Sequence, residues 1–223
     1  MKLNTINAFK KYVAPQVVDS VFKNGDYKIN LGGEKRSVAC LFVDIRGFTT
    51  LSEALEPGEV VEILNEYLSL VAKAIFDNGG TLDKFIGDAA MALFNAPFDL
   101  DDYIYRACRT AIDIRSGAKA LDDICLKRFN KSVGFGIGVN YGDAVVGNIG
   151  SEVRMDYTAI GDTINTASRL ESNAKRNEIL ISEAVYLMVK DRIECEYVGE
   201  LALKGKSKAL PTYKIIRLKE ENE

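Results

Sequence analysis

The feature of the sequence that most constrains its fold is a run of six apolar residues, Val38 to Val43, that ends on Asp44. A strand with one exposed face would alternate apolar and polar residues, so an unbroken apolar run is typical of a strand covered on both faces. We therefore predict a buried strand over residues 36–43. Asp44 stands at the point where that strand ends.

The rest of the chain alternates helical and strand patterns. The predicted elements are helix 57–76, strands 81–86 and 88–94 as a hairpin around Gly87, helix 101–127, strands 132–141 and 143–149 as a second pair, and helices 163–174 and 183–190. The order β-α-β-β-α-β predicts an α+β fold with a ferredoxin-like βαββαβ core. That core has one mixed or antiparallel sheet with helices on one face.

The chain divides into three parts. We predict an N-terminal helix and a linker in residues 1–34, one domain in residues 35–218 that is large enough for a catalytic site, and an acidic tail in residues 219–223. The glycines in 23–35 suit a junction to an upstream regulatory module. No run approaches the roughly 18 apolar residues that a membrane span needs, so we expect a cytoplasmic segment without membrane contact. The net charge of −3 argues against nucleic acid as a partner.

The chain contains no histidine. This excludes a Ser-His-Asp triad, a Cys-His pair, a histidine zinc site and a histidine general base. Acid–base chemistry must therefore use carboxylates, metal-bound water or the substrate itself.

Two aspartates lie where apolar strands would bury them. Asp44 ends the strand 36–43, and Asp88 begins the second strand of the predicted hairpin. A single such aspartate is most simply a strand-end residue that turns the chain. If the two strands are neighbours, however, both carboxylates emerge at one edge of the sheet and repel each other unless a divalent cation lies between them. The tight turn Arg46 to Thr50 leads into a helix N-terminus, which attracts phosphate.

Gly134, Gly136 and Gly138 alternate within a strand-like segment. A dinucleotide-binding motif would need its third glycine at position 139, which is valine. Alternating glycines in a strand are instead typical of close backbone packing.

Three motifs together resemble the signatures of class III nucleotidyl cyclases. They are Phe42-Val-Asp-Ile-Arg-Gly-Phe-Thr49, Asp83-Lys-Phe-Ile-Gly-Asp88 and Tyr157-Thr-Ala-Ile-Gly-Asp-Thr-Ile-Asn-Thr-Ala-Ser-Arg169. The resemblance runs from about residue 35 to residue 218, with the motifs in the family's order and at similar spacing. It implies the family's elaborations of the βαββαβ core.

The resemblance also implies a role for each matching residue. Asp44 and Asp88 would hold two divalent ions per site, Mg²⁺ or Mn²⁺, with the carbonyl group of Ile45. Arg169 would stabilise the transition state, and Asn165 would orient the ribose. The phosphates would contact Gly47, Phe48, Thr49 and Lys204, although Lys206 is close enough to take the place of Lys204.

The resemblance assigns base recognition to Lys84 and Thr158. Lysine only donates hydrogen bonds, which suits the N1 acceptor of adenine, and a hydroxyl can face the N6 amino group. Guanylyl cyclases carry an acid at the position of Lys84, so adenine is favoured. At the position of Thr158 many members of the family have aspartate, and the chain resembles the subgroup that has threonine there. Because a hydroxyl can donate or accept, we expect looser discrimination than a lysine–aspartate pair gives.

The implied activity is conversion of ATP to 3′,5′-cyclic AMP and pyrophosphate by in-line attack of the 3′-hydroxyl on the α-phosphate. In this family the site lies between two chains: one chain supplies the metal carboxylates, and the other supplies the base-reading pair, the asparagine and the arginine. This sequence keeps both halves, so the resemblance implies a homodimer with two shared sites. The alternatives are a guanylyl cyclase of relaxed base specificity and a nucleotide-binding regulatory domain without turnover.

Overall fold

The computed structural model describes residues 6, 7, 9–23, 30–202 and 209–219. In chain order the elements are α1 (Pro15–Lys23), β1 (Gly32–Arg46), α2 (Phe48–Ala54), α3 (Pro57–Asp77), β2 (Thr81–Ile86), β3 (Ala89–Phe94), α4 (Tyr103–Phe129), β4 (Gly134–Ser151), β5 (Arg154–Ile160), α5 (Asp162–Asn173), β6 (Glu178–Ser182), α6 (Glu183–Val189), β7 (Ile193–Leu201) and β8 (Leu210–Leu218). Among the described residues, no helix is long and apolar enough to cross a membrane.

The strands form one mixed sheet in the order β2-β3-β1-β4-β6-β8-β7, and β5 pairs with β4 outside this order. The pair β4–β6 is parallel, whereas β1 is antiparallel to both of its neighbours, β3 and β4. The predicted α+β class and the βαββαβ core with one mixed sheet are confirmed. The hairpin of β2 and β3 turns at Gly87, whose φ is 64°.

Strand β1 is buried on both faces, as its apolar run predicts. Leu41 and Val43 contribute to a core shared with residues of α3 and α4, while Cys40 and Phe42 point the other way, into a core that includes Ile164 of α5. The two helices of the predicted core, α3 and α4, thus lie on one face of the sheet as expected, and α5, which follows that core in the chain, lies on the other. The second apolar face of β1 needs a cover, and α5 provides it.

Residues 132–149 do not form the predicted pair of strands. From Gly134 onward they belong to one continuous strand, β4, which pairs with β1 along the whole length of β1 from Gly32 to Arg46. The long antiparallel ladder carries the chain straight through Gly142, where a strand end was predicted. The actual hairpin joins β4 to β5, with Ser151 paired to Arg154. Strand β1 also begins earlier than predicted, at Gly32, inside the segment expected to be a linker.

Gly138 allows α5 to lie directly on β4. A Cβ atom at this position would come within 2.8 Å of the Cα of Glu171 and closer still to the backbone of Ala167 and Glu171. The close packing expected at the alternating glycines is thus present, and its partner here is a helix backbone. Because backbone cannot rotate away as a side chain does, the fit of α5 depends on the missing side chain.

We expect Gly138→Ala to lower the free energy of unfolding by about 1–3 kcal/mol, because the methyl group forces α5 away from the sheet. Gly58→Ala is the matched control, since a Cβ at Gly58 would meet no atom within 4 Å. It should leave the same quantity unchanged or raise it by up to about 1 kcal/mol, because alanine is favoured over glycine in a helix. Urea denaturation followed by circular dichroism measures both. Equal stability of the two variants would contradict this account of α5 packing.

Candidate active site

The structure brings Asp44 and Asp88 together. Asp44 lies near the end of β1, and Asp88 lies in the turn between β2 and β3. Because β1 pairs with β3, with Val43 opposite Ala90, this turn stands beside the end of β1. Burial, followed by the charges of Asp88 and Glu171 and a hydrogen bond with Asp88, raises the pKa of Asp44 to about 6.

Arg46 holds one oxygen of Asp44 and anchors it to α5. Its Nη1 donates to Oδ2 of Asp44 at 2.9 Å, its Nε donates to the carbonyl oxygen of Ala174 at 3.0 Å, and its Nη2 lies 2.7 Å from Oε1 of Glu171. The guanidinium lies over Gly136, where any Cβ atom would collide with it. The sequence patterns do not single out the contacts of Arg46 with Glu171 and Ala174, because these two partners are more than 120 residues away along the chain.

The donors at this point fit a divalent cation. Carboxylate oxygens are the ligands that Mg²⁺ and Mn²⁺ prefer, and two neighbouring carboxylates are relieved of repulsion by a cation between them. The negative field also reaches Tyr67, a buried residue whose pKa is raised by burial and then by Asp44 and Asp88. No group of three or more histidine, cysteine or acidic side chains within the described ranges has the arrangement of a metal site.

The turn after Asp44 has the shape that the sequence suggests. Gly47 adopts a left-handed conformation with φ 84° at the start of α2, and no side chain caps the first turn of that helix. Gly47 and Thr49 are exposed, Phe48 is half-buried and Ile45 is buried. The backbone of this turn is thus accessible next to the carboxylate pair.

Lys84 and Thr158 also lie together, and Asp83 joins them. Strand β5 brings Thr158 to β2, where its Oγ1 donates to Oδ2 of Asp83 at 2.5 Å. The Nζ of Lys84 lies 3.5 Å from Oδ1 of Asp83 and 3.4 Å from Oδ2 of Asp156. Burial raises the pKa of Asp83, and the hydrogen bond from Thr158 opposes that shift. The sequence patterns do not assign Asp83 a role, although it directly precedes Lys84.

A cavity of about 590 Å³ opens beside this network. It is lined by Asp83, Lys84 and Asp156 together with side chains of β2, α3 and the N-terminal segment, among them Tyr12 and Phe76. The space is large enough for a purine base, which is flat and has few atoms. Asp83, Lys84 and Asp156 therefore border a volume that a ligand can enter, and Thr158 is not among the residues that line it.

Asn165 and Arg169 lie on α5 away from its buried face. Ile164, Ala167 and Leu170 are buried, whereas Asn165 is exposed and Arg169 is partly exposed. Neither side chain makes a hydrogen bond or ion pair with another residue in the part of the chain that the structure describes. The structure thus does not join them to Asp44 and Asp88 within one chain. Lys204 and Lys206 lie outside the described residues.

Comparison with known proteins identifies the family. Residues 33–217 match the family model of the adenylate and guanylate cyclase catalytic domain. Adenylate cyclase 1 of Rhizobium meliloti is 34% identical over 218 residues, which are 96% of this chain and 32% of that protein. The chain thus spans about a third of the length of this relative.

Solved structures give the same result. The adenylyl cyclase CyaB from P. aeruginosa is 37% identical with a TM-score of 0.82, covering 86% of this chain and 100% of that one. The guanylyl cyclase Cya2 is 33% identical with a TM-score of 0.79, covering 86% of this chain and 97% of that one. The resemblance drawn from the three sequence motifs is confirmed. The chain belongs to the family of adenylate and guanylate cyclase catalytic domains.

Proposed function

We propose that this chain is an adenylyl cyclase domain that converts ATP to 3′,5′-cyclic AMP and pyrophosphate. The observation that carries the proposal is the carboxylate pair Asp44 and Asp88 in a chain that also keeps a cationic base-reading residue, Lys84. The pair accounts for catalysis without histidine, and Lys84 favours adenine. The adenylyl cyclase names of the first relative and of CyaB support the same activity.

In this proposal Asp44 and Asp88 hold two divalent ions, Mg²⁺ or Mn²⁺, with the carbonyl group of Ile45. Such ions, when bound, lower the pKa of the ribose 3′-hydroxyl and neutralise charge on the phosphates. Arg46 fixes one oxygen of Asp44 through its hydrogen bond and so sets the direction of the carboxylate. The turn at Gly47, Phe48 and Thr49 offers backbone N–H groups to the phosphates.

Lys84 and Thr158 read the base. The ammonium group of Lys84 donates to N1 of adenine, and Thr158 faces the N6 amino group. Guanine carries a hydrogen on N1, so the donor Lys84 opposes it. Relaxed base specificity with use of GTP is the second candidate, because Cya2 is named a guanylyl cyclase and threonine replaces the more common aspartate at position 158.

Asn165 and Arg169 act on the reacting groups of a substrate that is held by the carboxylates of a second copy of the chain. Asn165 orients the ribose, and the fixed charge of Arg169 stabilises the α-phosphate as the 3′-oxygen attacks phosphorus and the bond to pyrophosphate breaks. Among the described residues of their own chain, neither side chain has a hydrogen-bond or ion-pair partner. This supports a site whose residues come from two chains. Lys204 or Lys206 would contact the terminal phosphates.

An exposed apolar surface supports pairing of two chains. Phe85 and Ile86 of β2 and the cross-strand pair Val145 and Ile160 are each at least 41% exposed. Several exposed apolar side chains on strands of one sheet are typical of a protein interface. A two-fold homodimer across this surface would create two equivalent sites at once, each with carboxylates from one chain and Arg169 from the other.

We place the catalytic unit at residues 35–218, between the N-terminal segment 1–34 and the tail 219–223. The first relative is about three times as long as the aligned region, so it has further segments, and we propose a regulatory module upstream of the catalytic unit in this protein. We also propose a cytoplasmic location, where ATP is available.

Product identification tests the activity. With ATP and Mn²⁺ or Mg²⁺ we expect cyclic AMP and pyrophosphate by chromatography and mass spectrometry, and no product in excess EDTA. The kcat/KM for ATP should exceed that for GTP by about tenfold or more, which corresponds to about one correctly matched hydrogen bond. Nucleotide binding without any cyclic product would establish the regulatory-domain alternative. Cyclic GMP as the main product would establish a guanylyl cyclase.

Metal binding is tested with Asp44→Asn and Asp88→Asn. Mn²⁺ should raise the melting temperature of the unchanged protein, because binding to the folded state alone stabilises it. Each substitution should remove that increase and lower turnover to about 1% or less, as loss of a transition-state charge contact does. Asp77→Asn is the control, since Asp77 is exposed and pairs only with Lys73 on α3 among the described residues. A normal response to Mn²⁺ in the two site variants would contradict the metal assignment.

The shared site is tested by mixing inactive variants. Asp44→Ala and Arg169→Ala should each be inactive alone, but a 1:1 mixture that exchanges chains should recover about a quarter of the normal activity, since half of the dimers have one intact site of two. Asp44→Ala mixed with Asp88→Ala should stay inactive, because both changes fall in the same half of the site. No recovery in the first mixture, with chain exchange demonstrated by labelled chains, would contradict the two-chain site.

A further inference from the structure

The side chain of Asp83 has an unusual environment for an acid. It lies on β2, an edge strand, yet none of its side-chain surface is exposed. Burial of a carboxylate is costly unless the surroundings provide hydrogen bonds or charge. The two neighbours that provide them are Thr158 and Lys84, the same residues to which the proposed function assigns base recognition.

The hydrogen bond between Thr158 and Asp83 fixes the direction in which Thr158 can interact with a ligand. A hydroxyl group has one hydrogen and two lone pairs. Thr158 is 7% exposed and gives its hydrogen to Oδ2 of Asp83. What remains for a ligand is a lone pair, so the hydroxyl acts as a hydrogen-bond acceptor.

We infer that Asp83 is a positioning residue that makes the enzyme select adenine, by holding the Thr158 hydroxyl as an acceptor. This inference rests on the proposed function and deepens it. Lys84 as a donor and Thr158 as an acceptor together complement adenine, which offers an acceptor at N1 and donors at N6. They oppose guanine, whose N1 carries a hydrogen and whose O6 is an acceptor. The looser discrimination expected from an ambivalent threonine is thereby avoided.

Asp156 helps to separate this role from a purely electrostatic one. It contacts Lys84 at 3.4 Å, like Asp83, but the described contacts do not link it to Thr158. If the acids act only by pairing with Lys84, then removing either one should affect base selection in the same way. If the direction of the Thr158 hydroxyl group is what matters, only the removal of the Asp83 carboxylate should affect base selection.

The test compares kcat/KM for ATP and for GTP in the unchanged protein and in Asp83→Asn. An asparagine turns its oxygen to Lys84 and its amide N–H to Thr158, which leaves the hydroxyl free to donate to O6 of guanine. We expect the ATP-to-GTP ratio to fall about tenfold, the scale of one hydrogen bond. In Asp156→Asn the ratio should stay within about twofold. A merely structural role of Asp83 would lower both values of kcat/KM and leave the ratio unchanged, which would overturn the inference.

A double-mutant cycle ties the effect to the hydroxyl group. Thr158→Val removes the hydroxyl with little change in shape, so it should itself reduce the ratio. Adding Asp83→Asn to Thr158→Val should then change the ratio by less than about twofold, because the group that Asp83 positions is absent. A further tenfold fall in the double variant would show that Asp83 acts on selection by another route.

A second measurement makes its deciding comparison in the unchanged protein, with Thr158→Val as the control. Purine riboside triphosphate lacks the N6 amino group, so it should bind more weakly than ATP by about tenfold in the unchanged protein but not in Thr158→Val. Calorimetry with Mn²⁺ gives these affinities without turnover. A chain that prefers ATP in binding but forms no cyclic product would refute the proposed function and keep the inference about Asp83. Equal affinity of the unchanged protein for ATP and its analogue would refute the inference.

Discussion

The repulsion between Asp44 and Asp88 is the interaction on which the rest of the site depends. The sheet places the end of β1 beside the β2–β3 turn, so two carboxylates share one edge, and the pKa of Asp44 is raised to about 6 by burial and by its acidic neighbours. Such an arrangement is unfavourable by itself. On our account it persists because divalent ions and nucleotide phosphates complete it, and this explains how a chain without histidine can deprotonate a hydroxyl group.

Arg46 connects this edge to the helix that carries Asn165 and Arg169. It binds Asp44 on one side and the C-terminal end of α5 on the other, and it occupies the space that Gly136 leaves open. Gly138 then lets the backbone of α5 rest on β4. In the proposed dimer, Arg169 on this helix would act at the site whose carboxylates belong to the second chain. The guanidinium group of Arg46 would therefore link the carboxylates of one site to the Arg169 of the other. Gly136 and Gly138 of β4 thus allow Arg46 and α5 to take their positions beside the carboxylates.

Much of this could be predicted from local patterns, and what could not has a common cause. Periodicity and turn residues within a few positions of one another are enough to predict the bounds of β2, the turn at Gly87 and the helix α3. The continuity of β4 cannot be predicted in this way, because its pairing with β1 outweighs the local signal at Gly142. The contacts of Arg46 with Glu171 and of Asp83 with Thr158 cannot be predicted from local patterns either, since these partners are 125 and 75 residues apart. The cover that α5 provides for the second face of β1 is a tertiary contact of the same kind.

We propose that the two carboxylates hold metal for a nucleotide whose base is read by Lys84 and Thr158. A crystal structure with Mn²⁺ and a non-cyclising ATP analogue, with the anomalous signal of manganese recorded, tests this. We expect manganese peaks within coordination distance of both Asp44 and Asp88, with the adenine ring against Lys84 and Thr158 of a second copy of the chain. Nucleotide bound with its metal away from these aspartates, or with its base against other residues, would contradict it.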